Sequence, residues 1–307
     1  MNNLFKEQYP YLASTIKDSH YNTVTKLTVS PIDLMIPARF DFMAKLIYLD
    51  GLKGCYDPFR SYEIYKSHLL AFGGRRIKEA GNPEKNTIEK YINVFQSLNQ
   101  AANSDDKDTV WCEHYPIPVD ANFMAMDGAH RVSCALNTKN MITIYYLKDY
   151  SFPYRYDYLF FRYRLLHESM ILEMVLKYAK LKSLTLFRVT YKKYSKVPFL
   201  LTALKYRNAL LPVYMLKLSS KSFLVVTDNA HTSPDYVTAF LKNNLHNRSK
   251  LDLITNQEEI IQYLQSFIAH YQKKEDRHYK VTYFIKDRLL RLYFITLGII
   301  KKIIPYF

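Results

Sequence analysis

Glycine is scarce in this chain, and its shortage excludes a good deal. Seven glycines in 307 residues furnish neither a Rossmann fingerprint nor a Walker loop, both of which cradle phosphates with closely spaced glycines. Cysteine is scarcer still. Cys55, Cys112 and Cys134 form no CxxC pair, and an odd total suits a reducing cytoplasm and argues against a zinc site. No apolar run approaches the ~20 residues needed to span a bilayer. The opening Met-Asn-Asn-Leu-Phe-Lys-Glu lacks the apolar core of a secretion signal. Acidic residues are short in one half only. Residues 1–150 hold 17 Lys+Arg and 17 Asp+Glu, whereas 151–307 hold 26 and 11. The whole net charge of +15 therefore belongs to the second half, whose partner should be anionic, either nucleic acid or anionic lipid.

What is present describes a globular α/β chain. Hydrophobic residues make up 49%, enough for packed cores, and the length suits two modest domains. A helix is expected near 11–17 and a β-branched strand at 28–34. A helix follows at 40–49, with Phe40, Ala44, Ile47 and Tyr48 on one side. Residues 51–57 read as a loop and 62–72 as a helix stopped by Gly73-Gly74, with Arg75-Arg76 behind it as a solvated turn or a phosphate grip. The clearest amphipathic helix lies at 87–102, with Ile88, Tyr91, Ile92, Phe95 and Leu98 on its apolar face and a polar loop at 103–108 after it. A strand pair at 110–126 and a strand at 142–146 complete the half.

The densest chemistry lies between those strands, at Asp127-Gly128-Ala129-His130-Arg131. The pattern places Asp127-Gly128 where a strand hands over to a helix beginning near Val132. Gly128 can take a positive φ or admit a ligand close to the backbone. The unpaired N–H groups of the first helical turn suit an anion there, and His130 and Arg131 add two donors. Asp127 would hold a metal, take a proton or cap the helix. Asp-Gly is also an ordinary turn pair, so five residues alone do not decide the matter. Upstream, Asp41 and Lys45 stand four apart, as a supporting ion pair. Alternatively, Arg39 and Asp41 lie at the mouth of a pocket opposite Asp127.

Asp-Gly-x-His-Arg after a strand and before an Ala-containing helix resembles the signature of the ParB/sulfiredoxin fold. That superfamily holds ParB nucleotide-binding domains, sulfiredoxins and free-serine kinases. The segment Leu27-Thr28-Val29-Ser30-Pro31-Ile32-Asp33-Leu34, followed by Pro37-Ala38-Arg39-Phe40-Asp41, resembles the superfamily's upstream strand–loop–helix. The likeness covers about the first half. It departs from the ParB arginine box upstream, and Ala129 stands where sulfiredoxins carry their cysteine. The overall pattern also looks like DGAHR proteins of bacterial capsule and lipopolysaccharide synthesis. The resemblance implies phosphate handling of the kinase or phosphotransferase kind. Gly128, His130, Arg131 and Arg39 would bind phosphate or nucleotide, ATP or ADP, and Asp127 or Asp41 would orient the acceptor hydroxyl or coordinate Mg²⁺. The substrate would be a small molecule or glycan precursor. A ParB-like module that binds nucleotide and DNA is the alternative, and the basic half shows no helix-turn-helix to support it.

The second half opens with tyrosines and arginines interleaved from Tyr145 to Arg164. Such a run can stack bases, lie at lipid headgroups or form a domain interface. A helix at 165–182, strands at 184–191 and 223–227, and helices at 234–243 and 258–272 follow. Asp228 and His231 repeat the strand–Asp–x–x–His layout, as a turn or as two metal ligands, too few to claim a site. At the end Val281, Phe284, Ile285, Leu289, Leu292, Ile299, Ile300 and Ile303 recur at helical spacing beside Lys280, Lys286, Arg288, Arg291, Lys301 and Lys302. A basic amphipathic helix of this kind lies on a membrane without crossing it. The expected organisation is a ParB/sulfiredoxin-like domain at 1–150, a basic Tyr-rich α/β domain at 151–278 and an amphipathic tail helix at 279–307. The expected place is the cytoplasm, peripheral on the inner face of an anionic membrane.

Overall fold

The computed structural model describes residues 2–16, 24–74, 77, 85–103, 111–164, 166–191, 199–245, 249–275 and 288–289. Among the described residues it is mixed α/β, with two separate sheets. Two compact units emerge: Met1–Tyr156 with Tyr163–Leu166 and Lys280–Phe307 in the first, Asp157–Arg162 and His167–Tyr279 in the second. Arg75-Arg76, the 104–108 loop and all of the tail except Arg288 and Leu289 lie outside the described residues.

In the first unit, helices α1 (Asn2–Gln8) and α2 (Pro10–Ala13) precede strand β1 (Val24–Val29). The strand sits upstream of the expected 28–34. Pro31 is the reason: it lacks an N–H and fixes φ, so the chain leaves the sheet at Ser30 and makes 3₁₀ turns at Pro31–Leu34 and Pro37–Arg39. Helix α3 (Phe42–Leu52) then buries every residue from Phe42 to Leu49, as a central helix does. Helix α4 (Pro58–Phe72) starts four residues before the expected 62, because Pro58 is preformed for a first turn and the Asp57 carboxylate caps the Arg60 N–H. Helix α5 (Ile88–Asn103) follows the amphipathic pattern closely.

The sheet of this unit has the order β1-β3-β2. Strand β2 (Ile117–Asp120) runs parallel to β3 (Ile142–Leu147), and β1 runs antiparallel to β3 on its other side. The expected pair at 110–126 reduces to β2 and a short return, held by an antiparallel bridge from Val119 to Ala125. Asp120 closes the turn between them. Its buried carboxylate accepts from the N–H groups of Asn122 and Met124 at 2.9 Å and of Phe152 at 2.8 Å. Parallel β2 and β3 require a crossover, and helix α6 (Ala129–Thr138) supplies it. The DGAHR box is the corner of that crossover.

Two clusters enclose the corner. Phe5, Tyr9, Leu12 and Ile16 from the N-terminal helices pack with Val24, Met126, Tyr145 and Leu147 of the sheet side. Tyr48, Leu49, Tyr65, Leu69, Tyr91 and Phe95 of α3, α4 and α5 pack with Cys134 of α6. Burial pushes the Cys134 thiol up to about 12, so it stays protonated and inert.

The second unit carries a four-stranded antiparallel sheet of order β5-β6-β4-β7, from β4 (Leu184–Tyr191), β5 (Tyr214–Lys217), β6 (Ser222–Asp228) and β7 (Ser249–Ile254). Its helices are α7 (Tyr158–Tyr163), α8 (Glu168–Ala179), α9 (Phe199–Leu210), α10 (Pro234–Leu245) and α11 (257–275). The arginine–tyrosine run is partly internal here. Arg162 forks onto Glu168, stands 5.1 Å from the Tyr158 ring and 5.2 Å from the Tyr214 ring, and donates to the Met215 carbonyl. No helix among the described residues is long and apolar enough to cross a membrane.

Candidate functional site

The site is built outward from Gly128. It takes φ 73° and ψ 25° as the N-cap of α6, with no side chain capping the first turn. Such a left-handed conformation costs a residue with a Cβ roughly 1–2 kcal/mol. A Cβ there would also approach the Ile117 side chain to 2.4 Å and the Arg131 guanidinium to 3.1 Å. Glycine is thus needed twice over, for its φ and for the space it leaves. The box opens a helix as expected, three residues earlier than Val132, but a lone bridge at Ala125 and not a strand leads into it.

Helical geometry then separates the next side chains, each residue turning about 100° from the last. His130 points among the helices. Its Nε2 lies 2.8 Å from the Tyr65 hydroxyl, and its ring stands 4.7 Å from Phe95 and 6.2 Å from both Tyr65 and Tyr91. Burial, reinforced by the charges of Lys45 and Lys85, holds its pKa well below the ordinary histidine value. The imidazole is neutral at pH 7 and brings no charge to an anion. Arg131 turns the other way. It donates to the Tyr9 hydroxyl at 2.8 Å and to the Tyr115 carbonyl, and lies 4.9 Å from the Tyr115 ring centre. Tyr9 in turn donates to the Pro116 carbonyl at 2.7 Å.

Asp127 is only partly buried. The Tyr11 hydroxyl bonds to it, and its charge is felt by both Arg39 and Arg131. Arg39, eighty-six residues before Ala125, donates to the Ala125 carbonyl. The fold therefore does bring the upstream Arg39 and Asp41 beside the box, and it does so inside the protein. Arg39 grips Asp41 through two bonds of 2.8 and 2.9 Å, and Lys45 reaches the same carboxylate at 3.0 Å. Arg39 is 3% exposed, Asp41 0% and Lys45 2%. Burial would raise the Asp41 pKa, but Arg39 and then Lys45 outweigh it and hold the carboxyl well below the usual range. The expected Asp41–Lys45 ion pair is present, whereas Arg39 and Asp41 are enclosed beside the box and do not stand at the mouth of a pocket. Enclosed like this, Asp41 positions Arg39 and Lys45 and does not face solvent.

Two members had no signal in the sequence. His68 on α4 lies 3.2 Å from the Lys45 ammonium through Nε2. An ammonium only donates, so His68 accepts there and is neutral. Burial, then the Lys45 charge, keeps its pKa well below the ordinary value. Tyr65, one turn before it, stacks on His68 at 6.1 Å and joins it to His130. A periodic pattern marks both only as the inner face of a helix.

The second Asp–x–x–His turn, in the second unit, is closed on itself. Asp228 accepts from the Tyr178 hydroxyl at 2.6 Å and from the Ala230 N–H at 2.9 Å, with His231 Nε2 at 3.7 Å. Among the described residues no group of three or more His, Cys, Asp or Glu is placed to hold a metal.

Comparison with known proteins leaves the site to speak through its geometry. No family model, curated protein or solved structure matches the chain.

Proposed function

We propose that the first unit is a phosphate-handling enzyme of the ParB/sulfiredoxin kind that binds a phosphorylated ligand at the mouth of α6. The observation that carries this reading is the uncapped first turn of α6, opening at a left-handed glycine with the Arg131 guanidinium beside it. The first N–H groups of a helix carry roughly half a positive charge and satisfy phosphate oxygens directly. Side-chain charge supports it. Arg39, Lys45, Lys85 and Arg131 are cationic and Asp41 and Asp127 oppose them, while His68 and His130 are neutral. Positive charge is in surplus for an anion.

In a transfer of phosphoryl from ATP to an acceptor hydroxyl, the N–H groups and Arg131 would hold the phosphate as charge develops on its oxygens. Asp127, the partly exposed carboxylate, would accept the acceptor's proton. It is also the residue fitted to hold Mg²⁺, which takes one or two carboxylates besides phosphate oxygens and neutralises their charge. Asp41, closed in by two cations, does not fit that task. His130 shapes the corner through Tyr65 and Phe95. The acceptor we infer is a small molecule or glycan precursor of surface-polysaccharide synthesis, on the resemblance to DGAHR proteins. In calorimetry, pyrophosphate or ADP should bind measurably, and Arg131→Ala should weaken that binding by ~1.5–3 kcal/mol, as for charged hydrogen bonds. Unaltered affinity in the variant would move the anion elsewhere.

Attachment to an anionic membrane surface is part of this proposal, supported by the excess charge of the second half. Each basic residue near such a surface contributes ~1 kcal/mol. In liposome co-sedimentation, Lys301→Glu with Lys302→Glu should weaken binding to anionic vesicles in low salt and change it little in high salt. Equal binding to neutral vesicles would rule out the charge-driven attachment.

A further inference from the structure

Two aromatic rings stand beside Asp127 and Arg131 and present surface to solvent. Tyr11 is 51% exposed and Tyr115 45%, yet both are held in place. Tyr11 sits on α2 between Tyr9 and Leu12, which are buried in the core, and its hydroxyl is tied to Asp127. Tyr115 lies over the Arg131 guanidinium, meets Tyr9 edge-on at 5.2 Å and donates through its hydroxyl to the Gln8 carbonyl. Each ring is fixed through its polar end or one face while about half its surface meets solvent. A tyrosine fixed in this way offers a flat apolar surface that costs little ordering to use.

We propose that Tyr11 and Tyr115 form a ring-binding subsite, so that the ligand of this corner is a phosphate ester carrying a nucleobase or a sugar ring. This rests on the anion reading above and adds the organic part of the ligand to it. The phosphate end faces the α6 N-terminus and Arg131, and the ring end rests on a tyrosine. Both ring types offer an apolar face to an aromatic side chain, and bases stack on such rings irrespective of sequence. Asp127, between the phosphate position and Tyr11, is placed to accept from a hydroxyl of the same ligand or of its acceptor.

The test is calorimetry on the full chain with pyrophosphate, ADP and glucose 1-phosphate. The variants are Tyr11→Phe, Tyr11→Leu, Tyr115→Phe and Tyr115→Leu, with melting curves to check that the fold is kept. Pyrophosphate should bind the wild type and all four variants alike. At least one leucine variant should weaken ADP or glucose 1-phosphate about tenfold, while its phenylalanine counterpart stays within about twofold. Which of the two ligands weakens identifies the ring as base or sugar. The subsite is overturned if the leucine variants bind both esters normally, or if phenylalanine loses as much as leucine, since the hydroxyl alone would then matter. It is equally overturned if pyrophosphate weakens in parallel, since the tyrosine would then act only by holding Arg131. Binding of pyrophosphate but of neither ester would also overturn it. A wild type that binds no pyrophosphate would instead remove the anion reading itself.

Discussion

Replacing Asp41 by alanine should cost about 3–5 kcal/mol of folding stability, the usual result of leaving buried charges uncompensated. The size follows from what remains. Arg39 would keep its bond to the Ala125 carbonyl and Lys45 its contact with His68, but two cations would share one interior with no carboxylate between them. At a few ångströms in a medium of low effective dielectric, like charges repel by several kcal/mol. Some relief comes from the rings beside them. The Arg39 guanidinium lies 4.7 Å from Phe42 and 5.3 Å from Tyr156, and the Lys45 ammonium 5.7 Å from Phe72. Such contacts are worth ~2 kcal/mol when desolvated, which is less than the loss.

The same reasoning sets a contrast. Asp41→Leu combined with Arg39→Met and Lys45→Met removes the charges together, and buried ion clusters replaced by apolar residues of similar volume are commonly neutral or more stable. Urea denaturation should therefore find the single variant far weaker than the triple one. Ligand binding should fall in both, because Arg39 is withdrawn or misplaced. A single variant as stable as wild type would show that water reaches the cluster and that burial is not what gives Asp41 its weight.

How far this could be read beforehand differs from residue to residue. The Asp-Gly corner was legible because its chemistry is local: a strand, a glycine and a helical pattern follow one another within fifteen residues. The α5 helix was legible because its apolar period is intact. The cluster beneath the corner was legible only in part. Asp41 and Lys45 are an i, i+4 pair in any helix, but whether that face meets water depends on α4 and α6 closing over it, and no local pattern records that. The Tyr9–Arg131 bond joins residues 122 apart, with nothing in either neighbourhood to announce the other. His130 shows the sharpest difference. In the sequence it stands beside Arg131 as a second donor, whereas helical geometry sends it into an aromatic nest that strips its charge. Strands β5 and β7, both edge strands of their sheet, escaped notice for different reasons: Pro212 interrupts the apolar stretch that leads into β5, and the alternation of β7 rests on Leu251 and Leu253 alone.

The protein should also lose stability as pH falls from about 6.5 towards 5, and His68 and His130 should account for most of that loss. Both have folded pKa values well below the ordinary 6.5. As pH drops through 6.5 the unfolded chain takes up protons at these positions while the folded chain does not. The unfolded state then binds more protons, so stability rises with pH across this window and falls as it is acidified. Each fully unmatched histidine contributes ~1.4 kcal/mol per pH unit, and two approach ~2.7. The groups around them all act in one direction except Asp41. His68 faces Lys45, Arg39 and His130 as well as Asp41, and His130 faces Lys45 and Lys85, so a proton on either ring adds a cation to a cluster already in surplus. Asp41 behaves in the opposite sense and elsewhere. Its depressed pKa contributes stability above about pH 4 and loses it only below that, outside the histidine window. Urea midpoints measured every half unit from pH 7.5 to 5 would show the slope. His68→Gln keeps an acceptor for Lys45 without titrating, and should remove roughly half of it. His68→Gln combined with His130→Gln should flatten it. A midpoint that is level between pH 7 and 5 in the wild type would mean that these rings are already protonated or open to water, and the neutral cluster described here would have to be abandoned.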